Sequence, residues 1–188
     1  MNLKDNELLK SIGIFRYEHS LRVLTTAKKI GLFYNIDQKK IEISALYHDC
    51  GKIGNLDKIL RLINDYKIKL TEEDKKSPAV LHSILGRYIA KIKYNIKDKE
   101  ILDAIRYHTT GRTNMSNLEK IIFISDYIEP GREFKGVEKV RYLAEKNIDE
   151  SVIIAMKNTI AFLEKNNKHV HKDTLDGLNY LLKKGVIN

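Results

Sequence analysis

One cysteine and two prolines occur in 188 residues, and no apolar run approaches the length needed to span a bilayer. Each shortage excludes something. A lone Cys50 cannot close an internal disulfide, which fits a reducing compartment, and no cysteine cluster offers a structural zinc site. With only Pro78 and Pro130, helix-breaking punctuation is sparse. No segment of useful length alternates apolar and polar residues, so the strand signal is missing. The opening Met1-Asn2-Leu3-Lys4-Asp5 lacks the apolar core of a secretory signal, and no repeat or low-complexity tract interrupts the chain. The expectation is a soluble, cytoplasmic protein of one domain over residues 1–188.

What is present is helical. Apolar residues make up 43% of the chain, enough to build a core. Their spacing predicts helices over 4–12, 15–34, 38–50, 56–67, 78–94, 97–109, 117–128, 136–146, 149–165 and 174–184. The expected fold is therefore all-α, a compact multi-helix bundle. Ser116-Asn117-Leu118-Glu119 reads as a capping box, and Asp149 as the cap of the helix after it. Gly13, Gly31, Gly51, Gly111 and Gly185 fall where helices should stop or bend. Lys67–Ser77 is polar and acidic, as an exposed connection would be. The net charge of +9 favours an anionic partner or marks a lysine-rich solvated surface. The lysines form no basic stripe with interleaved aromatics, which argues against nucleic acid. No membrane partner is expected, and a homodimer is left open.

Six residues break the apolar pattern. His19 shares a face with Phe15, Val23 and Ile30, and His48 follows Ile41 and Ala45. His82 aligns with Leu85 and Ile89, and His108 completes the stripe Ile101, Ala104, Ile105. Asp126 follows Ile122 and Phe123, and Asp49 adjoins His48. A lone histidine on such a face is more often a hydrogen-bonded core residue than a ligand. Recurrence on five helices makes one shared site the more economical reading. Imidazole and carboxylate suit iron, manganese, nickel or zinc, and six ligands suffice for two metals sharing a carboxylate. Such a pair suits hydrolysis of phosphoesters or phosphoanhydrides. Lys52, one turn past His48, and Arg132, after the Glu129-Pro130-Gly131 bend, could meet phosphate. Thr109 adds a hydroxyl beside His108, and His169 and His171 could face one pocket from an extended loop.

His19, the His48-Asp49 doublet and Asp126 resemble the ligand set of the HD-domain metallophosphohydrolase superfamily. Longer phrases resemble its bacterial symmetrical bis(5′-nucleosyl)-tetraphosphatases. These are Ala45-Leu46-Tyr47-His48-Asp49-Cys50-Gly51-Lys52, His108-Thr109-Thr110-Gly111, Asp126-Tyr127-Ile128-Glu129-Pro130-Gly131-Arg132 and His171 to Thr174. The resemblance runs from about Arg16 to Leu182, with Ser125 standing where alanine is expected.

The resemblance implies a bundle with its metal site in a core of about 16–130, while C-terminal helices over 136–184 complete the nucleotide pocket. It implies iron as a di-iron centre, with manganese, nickel or zinc as substitutes. The reaction would be cleavage of diadenosine tetraphosphate into two ADP by metal-activated water. His19, His48, Asp49 and Asp126 would hold metal; His82 and His108 would complete a second metal or bind phosphate. Asp49, Lys52, His82 and His108 would serve catalysis. Besides His19, His82, His108 and Asp126, the nucleotide would meet Lys52, Ile53, Gly54, Asn55, Thr109, Arg132, His169, Val170, His171, Lys172, Asp173 and Thr174. Cys50 lies close enough to the doublet for oxidation to matter. Two other readings stand beside this one. One is another HD-type enzyme, a nucleotidase or cyclic-nucleotide phosphodiesterase, which a substrate panel separates. The other is a non-catalytic nucleotide- or RNA-binding module, which would bind polyanions without the six residues.

Overall fold

Eleven α-helices and a single 3₁₀ turn make up the computed structural model, which describes the backbone of residues 3–186 and the side chains of 6–185. The ends of the expected domain, Met1-Asn2 and Ile187-Asn188, lie outside the described residues. The helices are α1 (Leu3–Ile12), α2 (Ile14–Phe33), α3 (Gln38–Tyr47), α4 (Leu56–Asp65), α5 (Glu72–Lys76), α6 (Leu81–Ile92), α7 (Lys99–Tyr107), α8 (Asn117–Ile128), α9 (Val137–Lys146), α10 (Ile148–Lys165) and α11 (Lys172–Val186). The 3₁₀ turn, Pro78–Val80, leads into α6. The all-α expectation holds: no strand occurs among the described residues, and no helix there is long and apolar enough to cross a membrane.

Side-chain caps start most of these helices. Asp37, Asn55, Asp98 and Asn147 each accept a hydrogen bond from a first-turn amide of the helix that follows. The capping box at Ser116 and Glu119 forms as expected, and Arg112 grips the same Glu119 carboxylate at 2.6 and 3.0 Å. Asp149 does not cap α10. It lies in the first turn and pairs with Lys120 and Lys184, because Asn147 already occupies the capping position.

α8 runs through the centre. Ile121, Ile122 and Ile124 are fully buried, so this helix is buried on nearly all sides. α2, α3, α7, α9 and α10 pack around it, and α6 packs on α7 from the outside. Truncating any of those isoleucines to alanine leaves a void costing about 2–5 kcal/mol.

Several expectations need correction. α3 ends at Tyr47, not at 50. Cys50 N bonds Tyr47 O and Lys52 N bonds Asp49 O, so the chain tightens into successive turns that carry the His48-Asp49 doublet. The segment 67–77 is not merely an exposed connection: it holds α5, with a Thr71–Asp74 capping box, and Asp74 is buried against Arg106 and His171. Gly31 and Gly185 lie within α2 and α11. At Gly31 the missing side chain is a packing requirement, since a Cβ would come 2.1 Å from Ile41 Cδ1. Phe15 is 84% exposed, so the buried stripe of α2 runs through Val23 and Ile30 without it.

Candidate metal centre

The six residues singled out from the sequence come from five helices or their ends. His19 stands on α2, His48 and Asp49 just past α3, and His82 in the first turn of α6. His108 directly follows α7, and Asp126 is in the last turn of α8. They converge. His19 Nε2 is 3.0 Å from Asp126 Oδ1 and 4.0 Å from Asp49 Oδ2. His48 Nε2 is 3.6 Å from Asp49 Oδ2 and 4.0 Å from Asp126 Oδ1. On the other side of Asp49, its Oδ1 lies 3.4 Å from both His82 Nε2 and His108 Nε2, which are 3.1 Å apart.

Two sets of donors lie close enough to share an ion: His19, His48 and Asp126, and then His48, Asp49 and His108. His48 belongs to both, and His82 adjoins the second through Asp49 and His108. The far nitrogen of each ring is spoken for. His48 Nδ1 bonds Ala45 O at 2.7 Å, His82 Nδ1 bonds Ala79 O at 2.7 Å, and His108 Nδ1 bonds Ile105 O at 2.8 Å. A carbonyl only accepts, so each Nδ1 carries the proton and each Nε2 presents a lone pair to the centre. His19 gains the same polarity from Glu129, whose Oε1 is 3.3 Å from its Nδ1.

Lone pairs therefore face lone pairs in a buried space. His19 Nε2, His48 Nε2 and Asp49 Oδ1 are buried without a hydrogen-bond partner. Leaving such acceptors bare costs about 1–3 kcal/mol each. A divalent cation relieves that cost at once, and neutral imidazole with carboxylate is a donor set that divalent ions accept. The residues present fit a divalent metal.

The electrostatics agree. Burial pushes the His48 imidazole down, and it pushes His82 down to about 3, so both stay neutral donors. Burial alone would raise Asp49, but His48, His108 and Lys52 outweigh it and hold the carboxyl well below the usual range. Asp126 shows the same balance, with His19 at 3.0 Å and the nearby His48 and His108 overcoming burial. Burial lowers His19 as well, yet Asp126 and Asp49 reverse the sign, and its value is raised. Cys50 is fully buried, its thiol pushed up by burial and donated to Gly86 O at 3.3 Å, which makes it a poor target for oxidation.

Gly51 brings the doublet and α6 together. A Cβ there would stand 2.1 Å from His82 O and 2.6 Å from Gly86 N, both backbone atoms. Only glycine lets the turn lie on α6 and so put Asp49 against His82.

One cavity opens at the centre, and a second lies beside it. The larger, about 610 Å³, is bordered by Asp126, His108 and Thr109 and walled by Phe123, Tyr127, Phe134 and Phe162, with Arg132 and Lys135 as cations. The smaller, about 530 Å³, is lined by Lys76, Lys168, His169, His171 and Thr174 among others. Thr109 and Thr159 line both. The Thr109 hydroxyl is 3.3 Å from His82 Nε2 and 3.1 Å from His108 Nε2. Arg132 is anchored at the larger cavity by Asp126, with Nη2 3.0 Å from Oδ1 and Nε 3.1 Å from the main-chain oxygen.

Other residues proposed from the sequence have different surroundings. Lys52 Nζ lies 3.0 Å from Asp49 Oδ2, and Arg16 holds the Lys52 carbonyl at 2.9 Å. Ile53, Gly54 and Asn55 form the connection to α4, where Asn55 is the cap, and they line neither cavity. His169 pairs with Glu73, His171 with the buried Asp74, and Thr174 donates to Thr110 O at 2.9 Å. Val170, Lys172 and Asp173 lie outside both cavity walls.

Glu129 is the residue the sequence reading passed over. Only 2% exposed, it accepts from Arg22 Nε at 2.7 Å and from Gly131 N at 2.7 Å besides facing His19. Arg141 fastens the same bend through Ile128 O, Glu129 O and Arg132 O. The aromatic wall of the larger cavity was likewise unassigned, since aromatics at helical spacing look the same whether they fill a core or line a cleft.

The HD domain family model matches residues 16–131. Curated relatives described as "Bis(5'-nucleosyl)-tetraphosphatase, symmetrical" share 43% identity in Halalkalibacterium halodurans and 40% in Bacillus subtilis, each over 89% of both chains. The Staphylococcus aureus protein of the same description is 38% identical over 88% of this chain and 86% of its own. A crystal structure from Clostridium acetobutylicum, of a predicted HD superfamily hydrolase involved in NAD metabolism, superposes with a TM-score of 0.91 at 40% identity over 96% of this chain and 95% of that one. Matched over most of its length in sequence and in fold, the chain belongs to the HD domain family, among the symmetrical bis(5′-nucleosyl)-tetraphosphatases.

Proposed function

We propose that this protein hydrolyses diadenosine tetraphosphate symmetrically, giving two ADP, with a resident di-iron centre that manganese, nickel or zinc can replace. One observation carries the reading: unpartnered buried donors converge beside one cavity, and a second cavity adjoins the first through Thr109 and Thr159. A substrate with a nucleoside at each end of a polyphosphate needs that layout, and the names of the relatives supply the particular substrate. The cytosol is the expected compartment for such a nucleotide.

His19, His48, Asp49 and Asp126 would hold the metal, with His82 and His108 completing a second position. Bound there, a metal pair supplies Lewis acidity, lowering the pKa of a water and screening phosphoryl charge. The chain does the rest. Lys52 adds a positive charge beside Asp49, and Arg132 offers two donors at the larger cavity. The Thr109 hydroxyl sits where the two cavities meet and can donate to a phosphoryl oxygen. The aromatic wall gives a base a stacking surface, and the His169–Thr174 loop borders the other end. In the reaction, water oxygen bonds to one inner phosphorus, and the bond from that phosphorus to the central bridging oxygen breaks. ADP leaves with the electron pair, and the released proton passes to solvent.

The test is product analysis on the metal-loaded protein. The expected result is ADP alone from diadenosine tetraphosphate, with mononucleotides and cyclic nucleotides turned over far more slowly. ATP plus AMP would refute symmetric cleavage, and a faster cyclic substrate would move the assignment to a phosphodiesterase. Asp49→Ala should abolish turnover and lose metal together.

A further inference from the structure

A third cavity, of about 420 Å³, lies between α6, α7 and the α5 region and shares no lining residue with the other two. On α6 it takes Arg87, Tyr88 and Lys91, about one and a half to two and a half helical turns beyond His82. Its wall carries four cations, Lys69, Arg87, Lys91 and Arg106, against one carboxylate, Asp74.

That carboxylate is already engaged on both oxygens. Asp74 Oδ2 accepts from Thr71 N at 2.9 Å and Thr71 Oγ1 at 2.7 Å, while Oδ1 receives Arg106 Nη2 at 3.2 Å and lies 3.3 Å from His171 Nε2. Two further acids reach these cations: Asp173 Oδ2 lies 3.8 Å from Arg106 Nη2, and Asp103 is shared by Arg87 at 3.2 Å, Lys99 at 2.6 Å and Arg112 at 3.7 Å. The acids are oversubscribed. Lys69 and Lys91 have no ion-pair partner among the described residues, and Arg106, with a side chain only 12% exposed, keeps Nη1 buried without an acceptor. A buried guanidinium nitrogen left bare beside two free ammonium groups is an uncompensated cost that an oxyanion removes.

We propose that this cavity is a second anion site, separate from the metal centre, that binds phosphate groups, either of free inorganic polyphosphate or of a nucleotide tail. Arg106 supplies the directed donor from the floor. Lys69 and Lys91 add adaptable charges at the rim. The apolar side chains of Ile84 and Leu102 exclude water beneath them. The site rests on this constellation alone and stands whether or not the proposed hydrolysis is correct.

The experiment is calorimetric titration of the metal-loaded protein with inorganic pyrophosphate and, separately, with ATP. Lys69→Ala/Lys91→Ala changes two exposed side chains and leaves Arg106 in place, so folding is not at stake. Lys139→Ala/Lys146→Ala removes the same charge from α9, away from the cavity, and serves as the control. One binding event should weaken by about tenfold or more in the first variant and stay within threefold in the control. Loss with both ligands identifies phosphate groups alone as the determinant; loss with ATP only identifies a nucleotide tail. Equal weakening in both variants would reduce the effect to overall charge and overturn the site. Unchanged binding in both would overturn it as well.

Discussion

Replacing Glu129 by glutamine changes one charge and almost no volume, yet it should disable His19. In the native arrangement Glu129 Oε2 accepts from Arg22 Nε and Gly131 N, both at 2.7 Å, while Oε1 faces His19 Nδ1 at 3.3 Å. A glutamine must put its carbonyl where two donors already converge, so its amide group takes the place of Oε1. There it donates toward His19 Nδ1, which has to become the acceptor. The imidazole proton then moves to Nε2, which points at Asp126 only 3.0 Å away. The new tautomer satisfies Asp126 with a hydrogen bond and removes the lone pair a metal would use. Losing a histidine's orienting carboxylate typically costs ten- to a hundredfold in metal affinity, about 1.4–2.7 kcal/mol. Two measurements separate this from simple damage. Competition with a chelator should show the affinity loss. Nitrogen-resolved NMR of the metal-free protein should show His19 switching from the Nδ1–H to the Nε2–H form. Wild-type affinity together with an unchanged tautomer would refute the reasoning.

Gly51→Ala forces a Cβ to within 2.1 Å of the His82 carbonyl, a backbone clash that no rotamer relieves, and should cost about 2–4 kcal/mol by denaturant midpoint while also lowering metal content. Asp74→Asn should cost about 1–3 kcal/mol at neutral pH, because Arg106 and His171 lose a charged acceptor. Burial raises the Asp74 carboxyl, but Thr71, Arg106 and His171 outweigh it and hold it below 3.8. The stability it gives is therefore fully present above about 3.8 and is lost as pH falls through its lower native value, so the two proteins' urea midpoints should converge in acid.

The residues that the sequence revealed are those whose oddity is local. His82 among Leu85 and Ile89, or His108 after Ile101, Ala104 and Ile105, is a polar group on a stripe that periodicity defines by itself. The helices followed for the same reason, and Ser116-to-Glu119 announces its own cap. What stayed hidden depends on partners far along the chain. Asp74 meets Arg106 across 32 positions and His171 across 97, so nothing near Asp74 marks the segment as more than a polar connection. Glu129 meets His19 across 110 positions and Arg22 across 107, and in the sequence it looks like part of a bend. The end of α3 was misplaced because periodicity cannot tell a last helical turn from the tight turns over Tyr47–Lys52. Phe15 misled in the opposite way: its spacing matched the buried stripe, but it faces solvent while Tyr17 and Ser20 of the same end are buried.

The four histidines of the centre are oriented by two different means, and the difference follows from where they sit on their helices. His48 and His108 come directly after the last residue of α3 and α7, where carbonyls have run out of helical amides to accept from. Each ring turns back and donates Nδ1–H to the carbonyl three residues earlier. His82 does the same to Ala79 O in the 3₁₀ turn before α6. One hydrogen bond thus completes a helix end and fixes a tautomer, using only neighbouring residues. His19 is oriented differently. It lies inside α2, and its Nδ1 meets Glu129 Oε1 rather than a carbonyl of its own helix. Its polarity comes from another part of the chain, and Glu129, buried and clamped by Arg22, supplies it. Three rings are therefore preset by local structure and one by tertiary contact. That is why a change at Glu129 should act through His19 alone and leave the other three lone pairs aimed at the centre.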